Sequence, residues 1–231
     1  MIRIKHIALI GGLCLAAAVA PQARQKKPIE ILFLGHTSTH HNSGVYAPML
    51  TKALAPEGIN ITYTTEVGDL NPTTLGKYDG LMVYANHKSI TPEQETALLD
   101  YVASGKGFLP IHSASYCFLN SEKYVALVGA QFQRHGTGEF TAEIVKPDHA
   151  VMAGMKTFQV WDETYVHTKI NPDKIVLMER VDNEGREPWT WVRTHGKGRV
   201  FYTAYGHDER VWSNPNFHLL IKNAVHWATN K

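Results

Sequence analysis

Histidine side chains follow several apolar segments of this 231-residue chain, which contains 13 histidines. Four apolar segments lead directly into a histidine: Leu34-Gly35-His36, Tyr84-Ala85-Asn86-His87, Pro110-Ile111-His112 and Tyr205-Gly206-His207. Imidazole exchanges a proton near neutral pH, and its neutral form binds zinc and similar ions. If these segments are parallel strands, their carboxyl ends share one edge of a sheet, where ligands bind. The pattern therefore predicts acid/base or metal-assisted chemistry at that edge.

Two adjacent acids lie among aromatic residues in Trp161-Asp162-Glu163-Thr164-Tyr165. Neighbouring residues of a strand point to opposite faces, so in an extended segment only one of the acids faces a pocket. The other acid then orients a histidine or a loop amide. An exposed acidic turn is the alternative interpretation.

Spacing alone does not identify a metal site, because neither His-Glu-x-x-His nor Cys-x-x-Cys occurs. Three ligands could come from separate loops that carry His36, His40, His41, His112 and His207. The metal therefore stays unassigned, with a divalent ion such as zinc as a candidate. Ser113 or Cys117 could also act as a nucleophile, although the Gly-x-Ser-x-Gly pattern is absent.

The N-terminus has the pattern of an export signal. Arg3, Lys5 and His6 precede an apolar run at 7–20 that is too short for a comfortable membrane span. We predict a signal peptide over about 1–23 and a periplasmic or secreted protein without a membrane span after cleavage. Lipid attachment at Cys14 is disfavoured because Leu13, rather than a small residue, precedes it.

The composition excludes several classes of protein. The chain is 44% hydrophobic and 19% charged, as expected of a chain with a real core. Its net charge is +2, and without Arg3 and Lys5 the basic and acidic counts are equal. We therefore expect no nucleic-acid partner and no polybasic membrane patch.

Apolar β-rich runs alternate with helical segments in the first half of the chain. Strands are predicted at 29–34, 59–65, 80–84 and 107–111, and helices at 46–55, 92–104 and 123–128. The second half predicts strands at 140–145, 175–181, 189–194 and 199–205, followed by a helix at 216–229. This order indicates an α/β fold with a mainly parallel sheet flanked by helices and an antiparallel extension.

The chain also resembles a known family in five ordered motifs. They are Thr39-His40-His41-Asn42-Ser43, Gly105-Lys106-Gly107-Phe108-Leu109-Pro110-Ile111-His112, Leu127-Val128-Gly129-Ala130-Gln131-Phe132 followed by His135, Asp162-Glu163-Thr164-Tyr165, and Gly198-Arg199-Val200-Phe201-Tyr202-Thr203-Ala204-Tyr205-Gly206-His207. In this order they resemble the ThuA-like family, over about 29–229. The resemblance implies a flavodoxin-like fold of the class I glutamine amidotransferase type and a link to trehalose and related sugars through 3-keto intermediates. The amidotransferase elbow carries a cysteine where this chain has Ile111-His112-Ser113, so glutamine hydrolysis is not expected.

The resemblance maps His41, His112, His135, Glu163 and His207 to recurrent polar positions of the family. We assign His112, Glu163, His207 and Asp162 as catalytic, with Glu163 as general base and Asp162 orienting a neighbour. His112 and His207 are proton carriers or ligands of an ion that polarises a carbonyl. The substrate-binding assignments are His36, His41, His87, His135 and Tyr116.

These residues predict a lyase, hydratase or hydrolase that acts on a glycoside or 3-keto-sugar, with a small carbohydrate as partner. One alternative is a non-catalytic sugar-binding or partner-binding module of an exported sugar-utilisation system. Another is a metal-dependent hydrolase of amides or esters.

Overall fold

A nine-stranded sheet organises the protein. The structure, a computed structural model, describes residues 27–183 and 185–231; the predicted signal peptide lies outside them. The strands are β1 Ile29–Leu34, β2 Ile59–Thr64, β3 Gly80–Val83, β4 Gly107–Pro110, β5 Gln131–Ile144, β6 Gln159–Thr168, β7 Ile175–Asp182, β8 Gly185–His195 and β9 Gly198–Thr203. Their spatial order is β2-β1-β3-β4-β9-β8-β7-β5-β6.

The sheet changes character at β9. Strands β2, β1, β3, β4 and β9 pair in parallel, whereas every pairing from β9 through β8, β7 and β5 to β6 is antiparallel. The parallel strands read as almost continuous apolar runs because both of their faces are covered. The predicted α/β fold is confirmed, with a parallel half and an antiparallel half.

Helices flank the sheet in two groups. The helices are α1 Ser43–Leu54, α2 Pro72–Leu75, α3 Pro92–Ala103, α4 Glu122–Val128, α5 Glu209–Trp212 and α6 Pro215–Thr229. One group contains α1, α5 and α6, and the other contains α2, α3 and α4. The start of α3 is the predicted capping box, in which Thr91 and Gln94 satisfy each other's backbone amides. Within residues 27–183 and 185–231, the helices lack the combined length and hydrophobicity that a membrane span requires.

A long antiparallel pair forms the far edge of the sheet. Strand β5 begins at Gln131 rather than at 140, because its first part is polar and pairs with β6 instead of entering the core. Only Ala142–Ile144 of β5 pairs with β7. The segment around Asp162 and Glu163 is thus a strand rather than an exposed turn. The pair carries Glu163 toward the carboxyl ends of β4 and β9.

Candidate active site and metal centre

Three histidines and one glutamate converge at the carboxyl ends of the parallel strands. His41 lies in the loop after β1, His112 directly follows β4, and His207 follows β9, while Glu163 comes from β6. One potential ligand atom from each residue lies within 4.8 Å of the others. The four residues are far apart in sequence, so the fold alone brings them together.

The Glu163 carboxylate is the centre of this cluster. Its Oε2 lies 3.2 Å from His112 Nε2 and 3.5 Å from His41 Nε2, and its Oε1 lies 3.1 Å from His207 Nδ1. Burial alone would raise the pKa of Glu163, but the histidine contacts together lower it well below its usual range. Glu163 is therefore an anion, and its two oxygens are directed at imidazole nitrogens.

The tautomer of His112 is determined by the backbone. Its Nδ1 lies 2.6 Å from the carbonyl oxygen of Ala204. A carbonyl only accepts, so Nδ1 carries the proton and donates it. Complete burial lowers the pKa of His112 to about 4 against the opposing effect of Glu163, so the ring is neutral at pH 7. The lone pair of Nε2 therefore faces the carboxylate.

His41 also presents unsatisfied nitrogens to the cluster. Neither ring nitrogen has a hydrogen-bond partner among the described residues, although both atoms are buried. Burial lowers the pKa of His41, and the nearby Glu163 opposes this only partly. Its backbone is left-handed, with φ 56°, and its carbonyl oxygen accepts a hydrogen bond from His36 Nε2 at 3.0 Å. This contact holds the loop in a conformation that non-glycine residues rarely adopt.

His207 differs electrostatically from the other two histidines. The contact with Glu163 raises its pKa, although burial acts in the opposite direction. Its side chain is 24% exposed, whereas that of His112 is fully buried. The cluster is thus closed on the His112 side and open to solvent on the His207 side.

Asp162 lies behind the cluster and organises the backbone that carries His207. Its Oδ1 accepts the amides of His207 at 3.0 Å and Glu163 at 2.9 Å, and its Oδ2 accepts the amide of Gly206 at 2.9 Å. Burial raises its pKa to about 7, while these three amides lower it. Both oxygens are engaged and the side chain is fully buried, which is the geometry expected of a residue that orients its neighbours.

Gly206 allows the backbone that follows β9 to pass close to His112. Its φ is 141°, and a side chain there would place Cβ 3.0 Å from His112 Cβ. The Gly206 carbonyl accepts hydrogen bonds from Tyr84 Oη at 2.6 Å and from Trp212 Nε1 at 2.8 Å. Two buried donors therefore hold the turn that precedes His207.

Two further residues on the same face of β6, Tyr165 and His167, support His112. The sequence did not lead us to assign either of them to the site. The Tyr165 ring stacks on the His112 ring, with centroids 4.2 Å apart. Two residues on, His167 Nε2 lies 3.1 Å from Tyr202 Oη, which donates to the His112 carbonyl at 3.1 Å. Period-two spacing from Glu163 was the available signal, because residues 163, 165 and 167 share one strand face.

The other predicted substrate-binding residues surround the cluster at different distances. His135 is at its mouth: Nε2 lies 3.5 Å from Glu163 Oε1, and the side chain is 40% exposed. Tyr116 packs edge-on against Phe132, which contacts Tyr165, so two aromatic residues separate Tyr116 from His112. His36 and His87 line a neighbouring polar cavity.

The nucleophile alternative receives no support from the geometry. Cys117 is fully buried, and burial raises the pKa of its thiol, which keeps it protonated. Ser113 is 1% exposed, and its Oγ has no hydrogen-bonded base among the described residues. Neither residue meets the requirement of an activated nucleophile.

One sizeable hollow lies away from the histidine cluster. It measures about 760 Å³, is mainly lined by α2 and α3, and includes none of the clustered residues. Size alone is a weaker indicator than convergent titratable groups, so we place the site at the histidines.

The donor set fits a divalent cation. His112 Nε2 lies 3.2 Å from Glu163 Oε2 while Nδ1 of the same ring contacts the Ala204 carbonyl, so in the neutral ring Nε2 and the carboxylate are both acceptors that a cation can share. Tetrahedral ligands about 2.0–2.1 Å from zinc lie about 3.3 Å apart, and His112 and His41 lie 3.2 and 3.5 Å from Glu163 Oε2, within a set of ligand atoms that spans up to 4.8 Å. Three imidazoles and a carboxylate suit zinc or another first-row divalent ion.

Comparisons with solved structures agree with this fold. A protein from Bacteroides uniformis, provisionally described as ThuA-like, is 21% identical, with a TM-score of 0.74 over 90% of this chain and 95% of that one. Another from Parabacteroides merdae, described in the same way, is 18% identical, with a TM-score of 0.76 over 88% and 90%. A Thermoplasma acidophilum protein, provisionally described as part of a GMP synthase, is 12% identical, with a TM-score of 0.59 over 89% and 96%. At these identities the likeness establishes the fold alone.

Sequence comparison identifies the family. No curated protein matches the chain. The ThuA family profile, described as trehalose utilisation, matches residues 30–228, which is most of the chain and includes all four clustered residues. The predicted resemblance is confirmed, and the chain belongs to the ThuA family.

Proposed function

We propose that this protein is a carbohydrate-processing enzyme that binds a divalent metal through His41, His112, Glu163 and His207. The observation that carries this proposal is the convergence of three imidazoles and one carboxylate whose potential ligand atoms all lie within 4.8 Å of one another. Membership of a family linked to trehalose utilisation supports a sugar as substrate. The reaction is that of a lyase, hydratase or hydrolase on a glycoside or 3-keto-sugar.

A bound divalent ion supplies Lewis acidity that polarises a carbonyl or hydroxyl group of the substrate. The protein supplies orientation: Ala204 holds the His112 ring, His36 holds the His41 backbone, and Asp162 holds the His207 backbone. Such outer contacts fix the tautomer and direction of ligands. This shell distinguishes the cluster from a chance meeting of histidines.

His135 is the proton carrier in this proposal. Its ring borders both solvent and Glu163, and its Nδ1 lies 3.0 Å from the carbonyl of Gly136, which leaves Nε2 unprotonated in the neutral ring. It replaces Glu163 as general base, because both carboxylate oxygens of Glu163 face the imidazoles of the cluster and Glu163 serves as a ligand. The C2 hydrogen next to a 3-keto group is acidic: its removal by His135 forms a C1–C2 double bond as the C1–O glycosidic bond breaks, and the leaving oxygen takes up a proton from water, so no nucleophile is needed.

Metal content and turnover test the proposal together. Protein purified without chelator is analysed by inductively coupled plasma mass spectrometry and then incubated with 3-keto-glycosides, with products followed by mass spectrometry. We expect about one divalent ion per chain and turnover that chelator abolishes. His112→Ala loses the ion, whereas His135→Ala retains it and loses turnover by about 10²-fold or more, the usual contribution of a general base.

The matched control is His40→Ala, which removes an exposed histidine next to His41 in the same loop. It keeps both the ion and turnover. Wild-type metal content in His112→Ala contradicts the ligand assignment. Tight calorimetric binding of intact glycosides without turnover, after metal addition, favours the rival sugar-binding module.

A further inference from the structure

A polar cavity of about 470 Å³ lies beside the candidate metal centre. Its walls come from the segments that follow β1, β2 and β3, and all eight lining residues are polar. Small-molecule pockets are usually lined by apolar side chains with a few polar groups. A wholly polar lining therefore selects a ligand that brings its own hydrogen-bonding groups on most sides.

Two imidazoles of this cavity are held in the same tautomer. His36 Nε2 lies 3.0 Å from the carbonyl of His41, and His87 Nε2 lies 2.9 Å from the carbonyl of Gly35. Because both carbonyls accept, each Nε2 carries a proton, and in the neutral ring each Nδ1 is an acceptor. The His87 ring also stacks on Phe118 at 5.9 Å and 11°, which limits its rotation. The cavity thus has two rigid acceptors suited to hydroxyl donors.

The remaining lining completes a neutral set of partners. Glu66 and Lys88 contribute opposite charges, and the Asn86 amide and three hydroxyl side chains both donate and accept. A phosphate or carboxylate site would show an excess of positive charge or clustered backbone amides. The balance favours a neutral polyhydroxylated molecule.

The position of the cavity relates it to the metal centre. The cavity lies over β2, β1 and β3, and the cluster receives ligands from the ends of β4 and β9, which follow in the sheet order. Neighbouring strands are about 4.8 Å apart, so the two sites are offset by about two strand spacings along one rim. The loop after β1 borders both, because His36 lines the cavity and its Nε2 contacts the backbone of the ligand His41.

We propose that this cavity is a second subsite, which holds a neutral polyhydroxylated ring linked to the ring that reacts at the metal centre. The identity of the reacting ring rests on the proposed function, but binding in the second subsite needs no turnover. The segments after β2 and β3 thereby determine what is attached to the reacting sugar, while the four clustered residues determine where the reaction occurs.

Calorimetry with a matched pair of probes tests this subsite. Trehalose supplies two linked rings, and methyl α-glucoside supplies one ring with the same linkage. We expect the wild-type protein to bind trehalose about tenfold or more tightly, the effect of one or two added hydrogen bonds. His87→Phe keeps the stacking on Phe118 and removes the nitrogens, and Asn86→Ala removes the amide. Each reduces the trehalose preference to about threefold or less and leaves methyl α-glucoside binding unchanged.

Asn60→Ala is the control, because Asn60 is exposed on β2 and lies outside the cavity lining. Asn60→Ala keeps the wild-type preference for trehalose over methyl α-glucoside. Equal binding of the two probes by the wild-type protein, or an unchanged preference in both cavity variants, overturns the subsite. If the preference disappears in those variants but no 3-keto-glycoside is turned over, the subsite stands and the proposed enzymatic function fails. If turnover occurs and both variants keep the wild-type ratio of KM values for two-ring and one-ring 3-keto substrates, the subsite fails and the function stands.

Discussion

Replacing Asp162 with asparagine tests its role in positioning His207 separately from its role in protein stability. This is possible because the change has two opposing effects of similar size on the free energy of unfolding. Asparagine keeps one acceptor oxygen, which retains two of the three backbone amides, and turns an NH₂ group toward the third. The two buried donors then left facing each other, the asparagine NH₂ and the Gly206 amide, together cost about 3 kcal/mol. The pKa of Asp162 is raised from 3.8 to about 7, so an uncharged residue avoids a burial penalty of about 4 kcal/mol at pH 7.

We therefore expect Asp162→Asn to change the free energy of unfolding by about 1 kcal/mol or less, measured by urea denaturation in chelator. Metal affinity responds differently, because the Gly206–His207 backbone loses part of its support and the His207 ring moves. We expect about 10–100-fold weaker zinc binding, as for other outer-shell substitutions. Competition with a chromophoric chelator measures this affinity.

Glu139→Gln is the matched control, since Glu139 is exposed on the paired strand β5 and its carboxylate contacts only Gln159 among the described side chains. Glu139→Gln leaves both the free energy of unfolding and the zinc affinity unchanged. Wild-type zinc affinity in Asp162→Asn would refute the positioning role. A large loss of stability with unchanged affinity would mean that the carboxylate serves the fold and not the centre.

Two further predictions concern His112. Tyr202→Phe removes the hydroxyl that donates to the His112 carbonyl, so we expect the free energy of unfolding in urea to fall by about 1–2 kcal/mol and zinc binding, measured by chelator competition, to weaken. The control Tyr101→Phe removes a hydroxyl remote from the site and leaves zinc binding unchanged. The second prediction concerns pH. Burial lowers the pKa of His112 to about 4 in the folded protein, against about 6.5 in the unfolded chain, so unfolding between these values takes up a proton. The free energy of unfolding therefore falls as the pH drops from 6.5 toward 4, by about 3 kcal/mol for this group. Urea denaturation in chelator measures this slope, and His112→Gln should flatten it; an identical slope in that variant would contradict the burial of a neutral ring.

Much of the fold could be predicted because its signals are local. The buried run at β1 and the Thr91–Gln94 capping box at α3 each lie within a few residues of chain, and the structure has both. The extent of β5 could not be predicted in this way. Its first part is polar and is stabilised by pairing with β6, a long-range contact that leaves no apolar period in the sequence.

The candidate site could be located but not resolved from sequence. Strand-end position indicated His112 and His207, because the carboxyl ends of parallel strands share an edge. It could not decide between His36 and His41, since the path of one loop determines that His41 faces Glu163 while His36 contacts its backbone. Likewise, strand alternation separates Asp162 from Glu163 but does not say which of them meets the histidines.

The wide spacing of the four ligands along the chain has a consequence for biosynthesis. The four residues extend from position 41 to position 207 and come from four separate segments. A nascent chain therefore cannot assemble the cluster until the segment that carries His207 has been synthesised. An ion bound at the proposed centre would join these four distant segments, so metal binding would report that all of them have folded together.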